Sequence, residues 1–208
     1  MSRSNRPSIV GQSVALLCLL LVVVAGQAAV VIDSPTYHYQ ITQNISYFED
    51  TEHQYQASDF SDESLLQQFT PTRTPDMRLG YTDSTLWLRV QIENRLATPI
   101  NSLIYISQPY IGFLALHERR GNQLQHIERV GGMTSHIHGF VKHRAPVLRL
   151  LMQPGQRSEY LIEVRSRQYI SLTLNVSDPG SFYQTQFNQQ LIMGLAMGAL
   201  LMLSLIHI

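Results

Sequence analysis

The sequence predicts an all-β domain, a two-sheet sandwich or jelly roll, set between an apolar leader and the start of a transmembrane helix. Three observations carry this. Apolar and polar residues alternate with a period of two through the middle of the chain. Gly, Pro and Asn punctuate those runs, and no long helical period interrupts them. The clearest run, Leu86-Trp87-Leu88-Arg89-Val90-Gln91-Ile92-Glu93, sends Leu86, Leu88, Val90 and Ile92 to one face and Trp87, Arg89, Gln91 and Glu93 to the other.

The first element is the leader. Arg3 and Arg6 precede an apolar stretch over residues 14–24, and Ala25-Gly26-Gln27-Ala28-Ala29 supplies the small residues of a cleavage site. Residues 1–28 therefore read as a secretory signal peptide cut after Ala28, since the apolar stretch is shorter than the roughly 20 residues of a membrane span. Cys18, the one cysteine, lies inside this leader behind Leu17, which is not the small residue that lipidation needs. The exported product thus has no thiol and no disulfide, and its fold must hold by its core alone.

Residues 29–180 form the β domain, with about eight short strands between Tyr37 and Val176 and a single helical turn near residues 63–69. Phe113 to Glu118 and Gln123 to Val130 flank Arg119-Arg120-Gly121-Asn122, a hairpin loop. Gln153-Pro154-Gly155-Gln156 has Pro and Gly where a type II turn places them, and predicts a second hairpin between residues 147–152 and 158–164. The run 169–176 repeats the alternation, with Ile170, Leu172, Leu174 and Val176 inward and Ser171, Thr173 and Asn175 outward. Asp178-Pro179-Gly180 ends it, and polar residues 181–190 read as a short linker.

Residues 191–208 read as the start of a transmembrane helix. The stretch 191–203 carries no charge, and Gly194 with Gly198 forms a small-xxx-small pair that lets helices approach closely in lipid. Residues 203–208, LSLIHI, are expected to be partly non-native, because that peptide is the translation of CTG-TCT-CTT-ATA-CAC-ATC, an adapter used in DNA library preparation; the native chain is expected to continue through a complete helix.

Charge excludes one class of partner. The 208 residues carry 15 basic and 15 acidic side chains, Lys142 being the only lysine, and no basic run offers a surface for nucleic acid. No nucleophile elbow, P-loop, dinucleotide fingerprint or zinc-protease helix occurs, so no enzymatic activity and no cofactor is expected of this chain. His136, His138 and His143 form a histidine cluster without a cysteine or nearby acid to complete a metal site, and no metal is assigned.

Trp87 and Arg89 share the polar face of the best strand, and a flat ring beside a guanidinium fork is how many sugar sites hold a pyranose. The same pattern also fits a tryptophan covered by a second layer, with Arg89 paired to a carboxylate such as Glu93, and tryptophan is highly buried on average. Tyr81, Tyr110 and Arg144 carry the same two readings. The expected partners are a small-molecule or carbohydrate ligand and the membrane, with homo-oligomerisation left open.

Tyr47-Phe48-Glu49-Asp50, Arg78-Leu79-Gly80-Tyr81, Leu86-Trp87-Leu88-Arg89-Val90, Glu93-Asn94 and Gln108-Pro109-Tyr110, followed by Gly131-Gly132 and Arg144, occur in an order that resembles the second type of extracellular domain of bacterial seven-transmembrane receptors with diverse intracellular signalling modules. The resemblance implies a jelly roll similar to carbohydrate-binding modules. It also implies a position on the periplasmic side of the inner membrane and a seven-helix bundle feeding a cytoplasmic output such as a diguanylate cyclase or histidine kinase. A different reading, a periplasmic module that docks a protein and is anchored by one helix, has no need of a small ligand.

Overall fold

A computed structural model describes residues 28–108, 111–121, 123–131, 146–166 and 169–206. These residues form thirteen strands: β1 (Val30–Ile32), β2 (His38–Gln40), β3 (Ile45–Asp50), β4 (Thr70–Pro71), β5 (Met77–Tyr81), β6 (Thr85–Asn94), β7 (Ile100–Ile106), β8 (Phe113–Arg120), β9 (Gln123–Gly131), β10 (Val147–Met152), β11 (Arg157–Arg165), β12 (Tyr169–Leu172) and β13 (Leu174–Ser177). The helices are a single turn, α1 (Glu63–Leu66), and the long C-terminal α2 (Pro179–Ile206).

One sheet runs β4-β3-β6-β11-β8-β9, with β1 parallel to β6 beyond the end of β3. The other runs β10-β7-β13-β2, and β5 pairs with β12 as a separate ribbon. The eight strands β2, β6 to β11 and β13 occupy the sheets as β2-β13-β7-β10 and β6-β11-β8-β9, the interleaved order of a jelly roll. Among these eight, only β8 and β9 follow each other within one sheet, as a hairpin that turns at Gly121 with φ +60°. The predicted all-β sandwich is therefore the observed fold.

The predicted register of β6 holds. Leu86, Leu88, Val90 and Ile92 are essentially inaccessible and meet Ile104, Leu148, Leu150, Tyr160, Ile162 and Val176 in one continuous core. Each such aliphatic side chain contributes about 1.5–3 kcal/mol by leaving water. The run 169–176 keeps its inward set, with Ile170, Leu172, Leu174 and Val176 fully buried, whereas Asn175, expected outward, is buried as well. It is split in two at Thr173, whose carbonyl accepts from Ser107 N–H at 3.1 Å, and Leu174 N–H turns to Thr42 Oγ1 at 3.1 Å.

Two expectations fail for identifiable reasons. The Gln153–Gln156 turn forms, with Gln156 N–H donating to Gln153 O at 3.1 Å and Gly155 at φ +68°. It does not close a hairpin: β10 pairs with β7, while β11 pairs with β6 and β8. Turn chemistry sets the reversal but not the sheet partner, and here Leu148, Leu150 and Met152 face Tyr160, Ile162 and Val164 across the core instead of beside them. The expected linker over residues 181–190 is also absent, because those residues are already helical within α2.

An exposed tyrosine pair and a helix junction

The face of the first sheet that points away from the jelly-roll core is not a solvent face. At the end of β3 the buried carboxylate of Asp50 accepts the backbone N–H groups of Gln54 and Tyr55, each at 3.0 Å, and bends the chain back across the sheet. A short 3-10 helix, Ala57–Ser61, starts with a capping box between Gln56 and Asp59. Asp62 then caps α1 by accepting from Ser64 N–H at 2.9 Å. This cover drives Phe60 onto Trp87, ring centroids 4.6 Å apart, and packs it with Phe69, Leu66, Leu161 and Phe48.

Trp87 is accordingly 1% exposed, with no face of the ring free for a sugar, and its Nε1–H finds no hydrogen-bond partner among the described residues. Trp87 leaves the core face as alternation predicts, and of the two environments open to it the covered one holds, because a second layer lies over that face. Arg89 donates from Nε to Glu159, while Glu93 pairs with Arg95 at 2.7 Å. Glu159 also takes Arg119 at 3.0 Å, and Arg119 reaches Glu63 of the cover at 2.7 Å. Burial opposes the charge of Arg119, but the two carboxylates outweigh it and raise its pKa further. These charges stitch the cover to the sheet.

Tyr81 is placed differently. It is 85% exposed and meets Tyr169, 42% exposed, edge to face at 5.5 Å. Both stand on the β5–β12 ribbon, where Gly80 takes φ +82° and the pairing shifts between Ile170 and Ser171. Gln108 clamps the ribbon: its amide donates to Tyr169 O, and its carbonyl accepts Ser171 N–H at 3.1 Å. Arg165 lies over the Phe113 ring at 5.3 Å. The strand ends at Thr85, Ile106, Phe113, Val147 and Arg165 share this end of the sandwich. Tyr110, Arg144 and the histidines 136, 138 and 143 lie outside the described residues, so their predicted roles have no geometry here.

The helix joins the domain where β13 ends. Asp178 follows β13, and its Oδ1 accepts Tyr37 N–H at 2.8 Å while Oδ2 accepts Ser181 N–H at 2.9 Å. Asp178 N–H in turn donates to Tyr37 O at 3.1 Å. Burial works against the ionised carboxyl, yet the hydrogen bonds from Ser181 and Tyr37 prevail and hold its pKa below the usual range. Pro179 occupies the first helical position, where its missing N–H costs nothing. One turn later Phe182 is fully buried against Leu103, Tyr105 and Val147, its ring 4.9 Å from that of Tyr105. Burial pushes the Tyr105 hydroxyl up to about 12.

Beyond this anchor α2 turns apolar and exposed. Its most apolar 18 residues have a mean hydropathy of 1.8, and Leu195, Leu200, Leu201 and Leu205 are 61–69% exposed. Such a surface suits lipid, and 28 residues are long enough to cross a bilayer. Tyr183 and Phe187, four residues apart and exposed, stand where aromatic residues sit at a membrane interface. Asp178-Pro179 was the signal available in the sequence, since a carboxylate followed by proline starts a helix as readily as it ends a strand.

A family model described as 7TMR-DISM extracellular 2 matches residues 42–178, about two-thirds of the chain. The match begins at the 3-10 turn Thr42–Asn44 and ends at the residue that caps α2. No curated protein matches the chain. A β-sandwich of this family set on a membrane-length helix places the molecule at a membrane, and the chain belongs to the 7TMR-DISM extracellular 2 family, as the extracytoplasmic sensing domain of a membrane receptor.

Proposed function

We propose that the domain senses a carbohydrate-type ligand at the end that carries Tyr81 and Tyr169, on the periplasmic side of the inner membrane, and passes the event through α2 to a seven-helix bundle. The exposed tyrosine pair carries this reading. Two aromatic rings held side by side in water leave an uncovered apolar face, and a sugar ring uses such a face. Gln108 holds the backbone beneath them rigid, and a fixed platform binds with less entropy lost. Tyr110 and Arg144, outside the described residues, stay in the proposed ligand set. Trp87 stays in the second core and Arg89 in its pair with Glu159, so neither joins the proposed ligand set.

The test is a glycan and metabolite screen on the detergent-solubilised full chain. A ligand that binds only the folded state must raise the melting temperature. The expected result is a shift that disappears in Tyr81→Ala/Tyr169→Ala while the unliganded melting temperature stays within a few degrees. Absence of any shift, with capture of a periplasmic protein by the same face, would establish the protein-docking alternative instead.

A further inference from the structure

One side of the sandwich is open. β9 and β10 are the terminal strands of their sheets, and between them lies a cleft of about 670 Å³ lined by Glu118, Arg120, His126, Glu128, Arg129 and Arg149. That volume is typical of a small-molecule site. The acids of this cleft are committed internally. Glu118, itself buried, accepts Gln156 Nε2 at 2.8 Å and Ser158 Oγ at 2.7 Å, and pairs with Arg120 at 2.8 Å. Glu128 accepts the backbone N–H of Arg149, which occupies a free amide on the edge of β10.

The cations are not all committed. Among the described residues neither Arg129 nor Arg149 forms an ion pair, although both line the cleft and they stand on opposite strands. Burial, then the neighbouring His117 and Arg129, hold the pKa of His126 below its ordinary value, so near neutral pH it contributes a hydrogen-bonding ring and no charge. The rim is apolar: Leu151 is 73% exposed and Ile127 38% exposed. An ion pair in water gains little, but guanidiniums are planar forks that match an oxyanion bidentately, and two of them line this one cleft. The apolar rim adds a place for a carbon body.

We infer that the cleft between β9 and β10 is a second ligand site, separate from the tyrosine pair, that takes a small organic acid: its carboxylate lies between Arg129 and Arg149 and its carbon body rests against Leu151 and Ile127. The site does not depend on the carbohydrate reading, since it lies along the side of the sandwich.

The experiment titrates the detergent-solubilised full chain with citrate, benzoate and inorganic phosphate at matched ionic strength, following heat of binding. The expected result is saturable binding of at least one of the two organic acids, weakened about tenfold or more in Arg129→Gln/Arg149→Gln. Arg129→Lys/Arg149→Lys keeps the charge but loses the fork, and is expected to bind nearly as weakly. It also serves should the glutamine pair fail to fold. Tyr81→Ala/Tyr169→Ala is expected to bind the acid as the unaltered chain does, which separates this site from the carbohydrate site. No saturable binding, an equal response to phosphate, or unchanged affinity in both arginine variants would overturn the inference.

Discussion

At the membrane end of the sandwich the chain passes from β13 into α2 with Asp178 accepting two backbone N–H groups and Phe182 fully buried in the domain. On the β5–β12 ribbon Tyr81 stands 85% exposed against Tyr169, held by that ribbon and the Gln108 clamp. The junction buries its apolar surface in packing; the tyrosine pair leaves it in water. A receptor domain needs both, because a ligand is read only by groups that are still uncovered, and its effect travels only through groups already locked together.

Substitutions measure that contrast. The largest effect is expected from Phe182→Ala, which empties a buried aromatic site and should cost about 3–5 kcal/mol by thermal or denaturant unfolding of the full chain. A loss below about 1 kcal/mol would mean that the helix is only leaning on the domain. Phe60→Ala is expected to cost a comparable amount at the second core. Trp87 is the only tryptophan, so its fluorescence reports that site directly: a red shift in the folded variant shows water reaching the indole, and an unchanged spectrum contradicts the cover.

Asp178→Ala should cost about 1 kcal/mol, the usual loss of a helix N-cap. Its pH dependence has a definite sign. The folded-state pKa of Asp178 is lowered, so its contribution is complete above the unfolded value near 3.9 and is lost as pH falls through the folded value. Melting curves of the unaltered chain should therefore lose this increment below about pH 4, and Asp178→Asn should flatten that part of the profile. The smallest effect on stability is expected from Tyr81→Ala, within about 0.5 kcal/mol, while ligand binding is lost. A large stability loss there would turn the platform into a structural element.

The same contrast marks how far residues alone carry. Alternation located the core face of β6 and of the run 169–176, because a period of two follows directly from strand geometry. It did not show what lies over the other face: Trp87 and Phe60 are 27 positions apart in the chain, and only the Asp50 bend brings them together. Nor did the turn at Gln153–Gln156 reveal that β10 and β11 belong to different sheets, since both partners are distant in sequence. Several motif residues behind the family resemblance proved to be structural. Asn94, fully buried, donates to Thr98 O at 3.0 Å and Gln153 O at 2.9 Å and accepts from Leu96 N–H at 3.0 Å, while Gln108 clamps β12. Tyr81, for which the sequence leaves both a ligand-facing and a covered reading, is exposed, and its neighbour Tyr169 carries no signal of its own because the pairing of β5 with β12 spans 88 positions.

The rigid passage from β13 into α2 is the central claim, and a distance measurement across it tests the claim most directly. Spin labels at Leu151→Cys, on the exposed edge of β10, and Gln184→Cys, on the exposed side of the first helical turns, with Cys18→Ser removing the native thiol, report domain against helix in lipid nanodiscs. The expected result is one narrow distance distribution that broadens in Phe182→Ala. A distribution already broad in the otherwise unaltered chain would show a hinge at residues 181–190 and contradict the account.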